Sequence, residues 1–230
     1  MAEQTALLWT IVLMMLIDFK KVAVDFRNFF GLGSSQSFPV LTIAENKLCE
    51  ADSSFMFNII ADKDWNYKDN IQAYYCHSTN SHEIGIRESV YNKARNGNKQ
   101  ALYSLAHEIS HWTFFNYSGM EFNVKKYQQL APSQKAAFTI ISENIADLLT
   151  ALFLCNEDEL FNALGEADSE YSSCMSKAQI SVALFYCKNY KILVNNFVKI
   201  FKSKFNNLNL KREDKRRASR QKNKPLFNYR

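Results

Sequence analysis

Two of the four histidines in this 230-residue chain lie four residues apart in SLAHEISHWTFF, residues 104–115. His107 is followed directly by Glu108, and His111 completes a His-Glu-x-x-His pattern. On one helix, imidazoles at positions i and i+4 are neighbours and can both reach a single Zn²⁺ ion, while the glutamate can approach a water molecule without binding the metal. The segment therefore predicts metal-assisted hydrolysis with Glu108 as the general base.

The chemistry expected of such a site is hydrolysis of a peptide bond. Zn²⁺ polarises the peptide carbonyl and lowers the pKa of water toward ~7, and Glu108 would take the water proton and pass it to the leaving nitrogen. The competing interpretation is that both histidines satisfy backbone or solvent groups on a polar helix face. A catalytic zinc site also requires a third protein ligand.

The rest of the sequence restricts this third ligand. No histidine follows His111, and a tyrosine occupies the position where the longer metzincin-type pattern has its third histidine, so that pattern is excluded. A carboxylate is then required, unless His77 or His82 approaches from the predicted sheet. Glu143 is the best candidate, and Glu121 is a weaker one.

Two predicted helices must position these side chains. The first begins after a suitable N-cap, Asn98, and has an apolar stripe formed by Leu102, Leu105, Ile109 and Trp112. The second begins at a Pro-Ser signal, and its stripe consists of Phe138, Ile141, Ile145, Leu148 and Leu152. The two histidines, and likewise Glu143 and Asp147, lie opposite these stripes, so packed helices would bring the four polar side chains together. Asp147 could accept a hydrogen bond from a ligand histidine and fix its tautomer.

The remaining patterns predict an α+β fold that is mostly helical, with a small antiparallel or mixed sheet packed on the helix that carries His107. Only six glycines and three prolines are present, and apolar repeats of three and four residues dominate, which favours helix. We expect one or two helices in residues 6–30, a short helix at 38–48 and a last helical stretch at 176–208. Three segments between polar turns are predicted strands: SFMFNII, QAYYCH and EIGIRES.

The composition predicts one main domain with an extension at each end. We expect residues 1–34 to form an apolar helical segment, residues 35–208 the main domain with its C-terminal helical part, and residues 209–230 a basic, disordered tail. The net charge is +5, but residues 211–230 hold nine Lys/Arg and two acids, which is +7 and leaves −2 for the rest. Contact of this tail with nucleic acid or an acidic partner is the alternative to a solvated end.

Two features favour a cytoplasmic protein. The apolar run at residues 6–17 is shorter than the ~18–20 residues that span a bilayer, no basic residue precedes it, and no small-residue cleavage site follows it. We therefore expect a buried helix there rather than a membrane anchor or a signal peptide. Five cysteines without a C-x-x-C pair indicate neither a disulfide framework nor a cysteine zinc site, which suits a reducing compartment.

Three segments resemble the ImmA/IrrE-type metallopeptidases. IGIRESVYNKARNGNKQALYSLAHEISHW, residues 84–112, is similar to the approach to that family's active-site helix, and ENIADLLTALFL, residues 143–154, is similar to its downstream E-x-x-A-[DN] helix. FPVLTIAENKL, residues 38–48, resembles the family's early Pro-Val helix. The resemblance covers about residues 35–190. It departs from the family pattern at Ser110, where Gly is usual, and at FLC, which replaces Leu-Met-Pro, and neither departure removes a ligand.

The resemblance implies a zincin-like fold with one Zn²⁺ per chain, held by His107, His111 and Glu143, and with Glu108 as general base. Members of the family act inside bacterial cells, often from mobile elements or phages, and cut or inactivate a helix-turn-helix repressor. We therefore expect a cytoplasmic zinc endopeptidase that acts on an intracellular regulatory protein, with a DNA-binding repressor as a separate partner. The alternative is a non-catalytic interaction protein of the same fold that sequesters a repressor or a toxin partner.

Overall fold

A computed structural model of the chain describes residues 17–33, 37–78, 81–116, 129, 131–155, 174–176 and 179–188. All of these residues belong to one structural unit, Met1–Lys188. The apolar run as far as residue 16, the alternative ligand Glu121 and the basic tail lie outside the described residues. Most of the helical stretch predicted at 176–208 also lies outside the described residues, but residues 179–188 are described and are helical.

The three predicted strands form one small mixed sheet, with β1 at Phe55–Ile60, β2 at Ala73–His77 and β3 at His82–Arg87. β3 lies in the middle, parallel to β1 and antiparallel to β2. Ile84 and Ile86 of β3 are fully buried and attach one face of the sheet to the core. β2 is consequently an edge strand of this sheet.

Tyr74 covers the opposite face of the sheet, where it lies over Gly85. The two residues are paired in register, and a Cβ at Gly85 would lie only 2.3 Å from Cε1 of Tyr74. The tyrosine ring can therefore contact the backbone of the central strand because the glycine has no side chain. The hydroxyl of Tyr74 donates to Glu83 at 2.6 Å, which attaches β2 to β3 in addition to the backbone hydrogen bonds.

The helices of the described residues are, in chain order, α1 (Phe19–Phe29), α2 (Val40–Thr42, a π-helical turn Ile43–Lys47, and Leu48–Ala51), α3 (Glu88–Arg95), α4 (Lys99–Asn116), α5 (Pro132–Leu154) and α6 (179–188). The structure is thus mostly helical with a small mixed sheet, which confirms the predicted α+β class. The predicted short helix at 38–48 corresponds to α2, although a π-helical turn interrupts it.

The starts of three helices follow from local signals in the sequence. Asn98 accepts the backbone N–H three residues further on at 3.0 Å, which is the N-cap bond that begins α4. Pro132 occupies the first turn of α5, where its missing N–H removes no helical hydrogen bond. Asp18 accepts the backbone N–H of Lys21 at 2.9 Å and begins α1. Of the helical region predicted at 6–30, the part from Phe19 to Phe29 is described and forms α1.

α4 is the central element of the fold. It packs along α5, and its other sides contact α3, β2 and β3. Leu105, Ile109 and Trp112 of the predicted stripe are buried, but Ser110 and Phe114 on other sides of the helix are buried as well. Most of the predicted stripe is therefore buried, but other sides of α4 are buried as well, because α5 and the sheet cover different faces of the same helix.

An aromatic cluster and a buried arginine hold the C-terminal end of α5. The ring centroid of Phe153 lies 4.9 Å from that of Phe26 and 5.0 Å from that of Phe38. Arg27 is only 8% exposed, and its guanidinium donates to the carbonyls of Phe153 at 3.1 Å and Gly33 at 2.8 Å. The last carbonyls of a helix have no partner within it, so Arg27 satisfies one of them and anchors the helix that carries Glu143.

One described helix, α5, is long and apolar enough to cross a membrane by length and composition, with a mean hydropathy of 1.5 over its most apolar window. In the structure, 56% of that window is buried inside the protein. The core helix of a soluble protein passes the same test, so this finding is weak evidence for a membrane span.

Candidate metal centre

Three side chains from α4 and α5 converge on one point. Nε2 of His107 lies 3.2 Å from Oε2 of Glu143, and Nε2 of His111 lies 3.4 Å from Oε1 of the same carboxylate. One ligand atom from each residue lies within 4.8 Å of the others, and this is the one such group among the described residues. Two imidazoles and a carboxylate are a donor set typical of catalytic zinc sites. The structure thus brings together the three ligands that the sequence predicted.

Two small hydroxyl residues allow α4 and α5 to approach closely enough for this convergence. Ser110 and Thr150 are fully buried, and their hydroxyl oxygens lie 2.9 Å apart. Each hydroxyl also lies within hydrogen-bonding distance of the carbonyl four residues earlier in its own helix. Because Ser110 directly precedes His111, and Thr150 lies two turns after Glu143, this contact fixes how the two helices are aligned.

Asp147 lies one turn after Glu143 and contacts the opposite nitrogen of His107. Its Oδ1 lies 3.1 Å from Nδ1 of His107. A carboxylate at Nδ1 holds the proton there and leaves Nε2 available for a metal, which is the role predicted for Asp147. The hydroxyl of Tyr103 lies 3.4 Å from the same Asp147 oxygen. Tyr103 is buried, and its polar contact with Asp147 was not predicted from the sequence.

The charges of this cluster shift one another's pKa. Burial by itself would lower the pKa of His107, but the carboxylates of Asp147 and Glu143 outweigh it and raise that pKa to about 10. Hydrogen bonds from His107 and His111 hold the pKa of Glu143 far below its usual range. Burial opposes ionisation of Asp147, but the hydrogen bond with His107 prevails and lowers its pKa. Without a metal, a proton on His107 therefore balances part of the negative charge.

Glu108 lies beside the two histidines but outside the donor group. It is 9% exposed, and burial raises the pKa of its carboxyl against the opposing charges of His107 and His111 and a backbone hydrogen bond from Tyr75. A carboxylate with a raised pKa accepts a proton more readily near neutral pH, as a general base must. The position and environment of Glu108 suit the predicted role.

A cleft of about 710 Å³ opens onto the cluster. Residues 70–77, which include all of β2, form one wall, α4 forms the floor, and α5 forms the opposite wall with Glu143 and Asp147. This volume lies within the usual range for ligand-binding sites. All five residues of β2 line the cleft, and a strand of this length extends for roughly 16 Å.

A second polar network surrounds Tyr75 on this wall. The Tyr75 hydroxyl lies 2.8 Å from Nδ1 of His82, 3.4 Å from Nδ1 of His77 and 3.3 Å from Nδ2 of Asn116. Nε2 of His82 lies 3.8 Å from Asp52, whose carboxylate also accepts hydrogen bonds from Ser54. No motif in the sequence marks this network. Its only signal was the alternation in QAYYCH, which places Tyr75 and His77 on one face of the strand.

His77 and His82 both belong to the sheet and are half-buried. They end β2 and begin β3, face each other across the two strands, and have ring centroids 4.3 Å apart. Burial, with a smaller effect of the charge on His82, lowers the pKa of His77 to about 4. Neither histidine belongs to the group formed by His107, His111 and Glu143. The structure therefore does not provide a third ligand from the sheet.

No family model, no curated protein and no solved structure matches this chain. The resemblance to ImmA/IrrE-type metallopeptidases therefore depends on the sequence motifs themselves.

Proposed function

We propose that this protein is a zinc-dependent endopeptidase with a zincin-like fold of the ImmA/IrrE type. One observation carries the proposal: the ligand atoms of His107, His111 and Glu143 lie within 4.8 Å of one another, and Glu108 is buried directly beside them. A purely structural zinc site has four protein ligands and no use for a carboxylate outside the donor set. Three ligands and an adjacent buried base are the composition expected of a catalytic site.

The residues present fit a divalent cation. When the histidines are neutral, the charges at this point of the cleft are the carboxylates of Glu143 and Asp147, which a divalent ion would neutralise. His107, His111 and Glu143 would hold the ion, and its chemistry would be that of a Lewis acid toward the substrate carbonyl and the attacking water. Zinc is the ion that best suits this donor set, although the same donors also accept other divalent metals.

The side chains of the cleft would perform the proton transfers and the alignment. Glu108 would accept the proton of the attacking water and deliver it to the leaving nitrogen. The backbone of Tyr75 lies close enough to Glu108 to lower the pKa of its carboxyl. Asp147, itself held by Tyr103, orients His107 through Nδ1.

The edge strand that lines the cleft favours a polypeptide substrate. β2 pairs with β3 on one side only, and its residues line the cleft. An edge strand offers backbone donors and acceptors with which an extended peptide can pair. We therefore propose that the substrate binds in an extended conformation along β2, with its scissile bond beside Glu108.

The proposed substrate is an intracellular regulatory protein, specifically a helix-turn-helix repressor in the cytoplasm of a cell that carries a mobile element or phage. The resemblance to ImmA/IrrE-type metallopeptidases supports this part of the proposal. The alternative, a non-catalytic protein that sequesters a repressor or toxin partner, makes no use of Glu108 as a base.

Digestion of a proteome-derived peptide library tests the activity. We expect zinc-loaded protein to produce new peptide termini, identified by mass spectrometry, and Glu108→Gln to produce none while it binds zinc and keeps its circular dichroism spectrum. Glu50→Gln, which changes an exposed glutamate paired with Lys47, is the matched control and should cleave normally. New termini produced equally by Glu108→Gln would refute the assignment of Glu108, and a wild-type protein that cuts nothing would favour the sequestering alternative.

A further inference from the structure

We propose that Tyr75 is a positioning residue that aligns His111 and Glu108, and that His82 and Asn116 hold its hydroxyl for this purpose. The inference rests on the proposed function. It assigns a role to a polar network that lies outside the His-Glu-x-x-His motif and comes from the sheet and from the end of α4.

His111 lacks the kind of partner that orients His107. Asp147 fixes Nδ1 of His107, whereas no described residue hydrogen-bonds to Nδ1 of His111. The ring of Tyr75 lies beside His111 instead: the two rings are parallel to within 6°, with centroids 6.2 Å apart. Phe115 lies nearly parallel to both, with its centroid 5.7 Å from that of Tyr75. The orientation of His111 thus depends on aromatic neighbours, of which Tyr75 comes from a different element.

Tyr75 also contacts the general base through its backbone. Its backbone lies close enough to Glu108 to lower the pKa of that carboxyl, so one residue of the edge strand lies beside both a proposed ligand and the proposed base. A shift of Tyr75 would move the side chain beside His111 and the backbone beside Glu108 together. Small displacements of this kind have large effects on rates, because the reacting groups must lie within a few tenths of an ångström of their productive positions.

The hydroxyl of Tyr75 anchors the ring. It lies 2.8 Å from Nδ1 of His82 and 3.3 Å from Nδ2 of Asn116, so β3 and the last turn of α4 hold the phenol from two directions. Asn116 also donates to the carbonyl of Trp112 at 2.9 Å, which fixes its own side chain. A phenol with two anchored partners keeps one rotamer, and its ring remains beside His111.

Four variants test this role: Tyr75→Phe, His82→Ala, His82→Asn and the double variant Tyr75→Phe/His82→Ala. Tyr75→Phe keeps the ring and the backbone N–H and removes only the anchored oxygen. His82→Asn places an amide group near the position of Nδ1 and should restore the acceptor. Tyr91→Phe is the matched control, because the hydroxyl of Tyr91 bonds to Glu45 at 2.7 Å outside the cleft.

The readouts are the visible absorption of Co²⁺ bound in place of zinc, the Co²⁺ dissociation constant, and kcat and KM for a library peptide. We expect Tyr75→Phe and His82→Ala each to alter the Co²⁺ absorption bands, weaken Co²⁺ binding about tenfold and lower kcat more than they raise KM. The double variant should be no worse than either single variant, because both remove the same anchor. His82→Asn should recover most of the effect, and Tyr91→Phe should show none.

A merely structural role would lower the thermal midpoint of Tyr75→Phe but leave its Co²⁺ spectrum and affinity as in the wild type, and that result would overturn the inference. If the wild-type protein binds Co²⁺ but cleaves no peptide, the spectra and affinities still decide the role of Tyr75 while the proposed peptidase activity fails. If the wild-type protein binds no Co²⁺, both proposals fail.

Discussion

Oδ1 of Asp147 lies 3.1 Å from Nδ1 of His107, on the far side of the imidazole from the Nε2 atom that faces Glu143. The two residues come from different helices, 40 positions apart in the sequence, and their contact sets both the tautomer and the orientation of the histidine. In this geometry Asp147 acts on a metal through His107 rather than by direct coordination.

Asp147→Asn should therefore weaken zinc binding by about 10- to 100-fold without unfolding the protein, because the neutral amide no longer holds the proton at Nδ1 as strongly. Competition titration with a zinc-binding dye measures the affinity. Asn144→Ala, an exposed change on the same helix, should bind zinc as the wild type does. Unchanged affinity in Asp147→Asn would show that the contact with His107 has no influence on the metal.

Without metal, the cluster of His107, Glu143 and Asp147 should contribute most to the stability of the protein between roughly pH 4.5 and 6.5. The pKa of His107 is raised to about 10, so its protonated form contributes stability that is complete below its unfolded pKa of ~6.5 and is lost as the pH rises toward 10. The pKa values of Glu143 and Asp147 are lowered, so their contribution is complete above ~4.5 and is lost on acidification. Thermal melts of chelator-treated wild-type protein and of a variant that lacks the His107 side chain, at a series of pH values, would show this contribution as the difference between the two.

The alkaline part of that profile can be assigned with one variant. His107→Gln cannot be protonated, so its thermal midpoint should fall less steeply than that of the wild type between pH 6.5 and 10. Added zinc should stabilise the wild-type protein more at pH 8 than at pH 6, because the metal competes with the proton on His107. Identical alkaline slopes in the two proteins would mean that His107 is not the group responsible.

The contact between Ser110 and Thr150 should tolerate loss of a hydroxyl but not added volume. Ser110→Ala should cost about 1 kcal/mol of unfolding free energy, because Thr150 keeps its hydrogen bond to its own helix, and zinc affinity should be unchanged. Ser110→Val should cost about 1–3 kcal/mol and also weaken zinc binding, because the wider side chain separates α4 from α5. Urea unfolding and zinc titration measure both effects, and normal zinc affinity in Ser110→Val would contradict this account of the helix crossing.

Gly85→Ala should destabilise the sheet by about 1–3 kcal/mol. The new Cβ would lie 2.3 Å from Cε1 of Tyr74, so the ring must leave its place and its hydrogen bond to Glu83. Combining Gly85→Ala with Tyr74→Val removes the clash, and the double variant should be more stable than the sum of the two single effects predicts. Additive effects in urea unfolding would mean that the ring and the glycine are not in contact.

Local signals explain why the two helices of the site could be predicted from the sequence. The N-cap at Asn98 and the proline at position 132 act within one helical turn, and the spacing of the histidines fixes their common face wherever the helix packs. The proximity of His107 and Glu143 could be predicted only because each helix carries a polar pair opposite its apolar residues. These pairs are the two histidines on one helix and the two carboxylates on the other. The strands were also predictable, but their order depends on which segments pair across the fold, and no local pattern specifies that.

Contacts between distant residues account for the features that the sequence analysis missed. Ser110 looked like a tolerated replacement for glycine, and only its contact with Thr150 shows what the hydroxyl does. His82 lies outside the predicted strand EIGIRES, but β3 begins one residue earlier and includes it. Tyr75 carried no motif, and its role depends on α4 and β3 lying beside it.

Metal content is the most direct test of the central claim that His107, His111 and Glu143 form a metal site. Mass spectrometry of protein purified without added metal should find about one zinc ion per chain in the wild type and none in His111→Ala or Glu143→Ala. The same variants should keep their helical circular dichroism, so that loss of metal is not loss of fold. A wild-type protein without metal, or zinc retained in Glu143→Ala, would contradict the account.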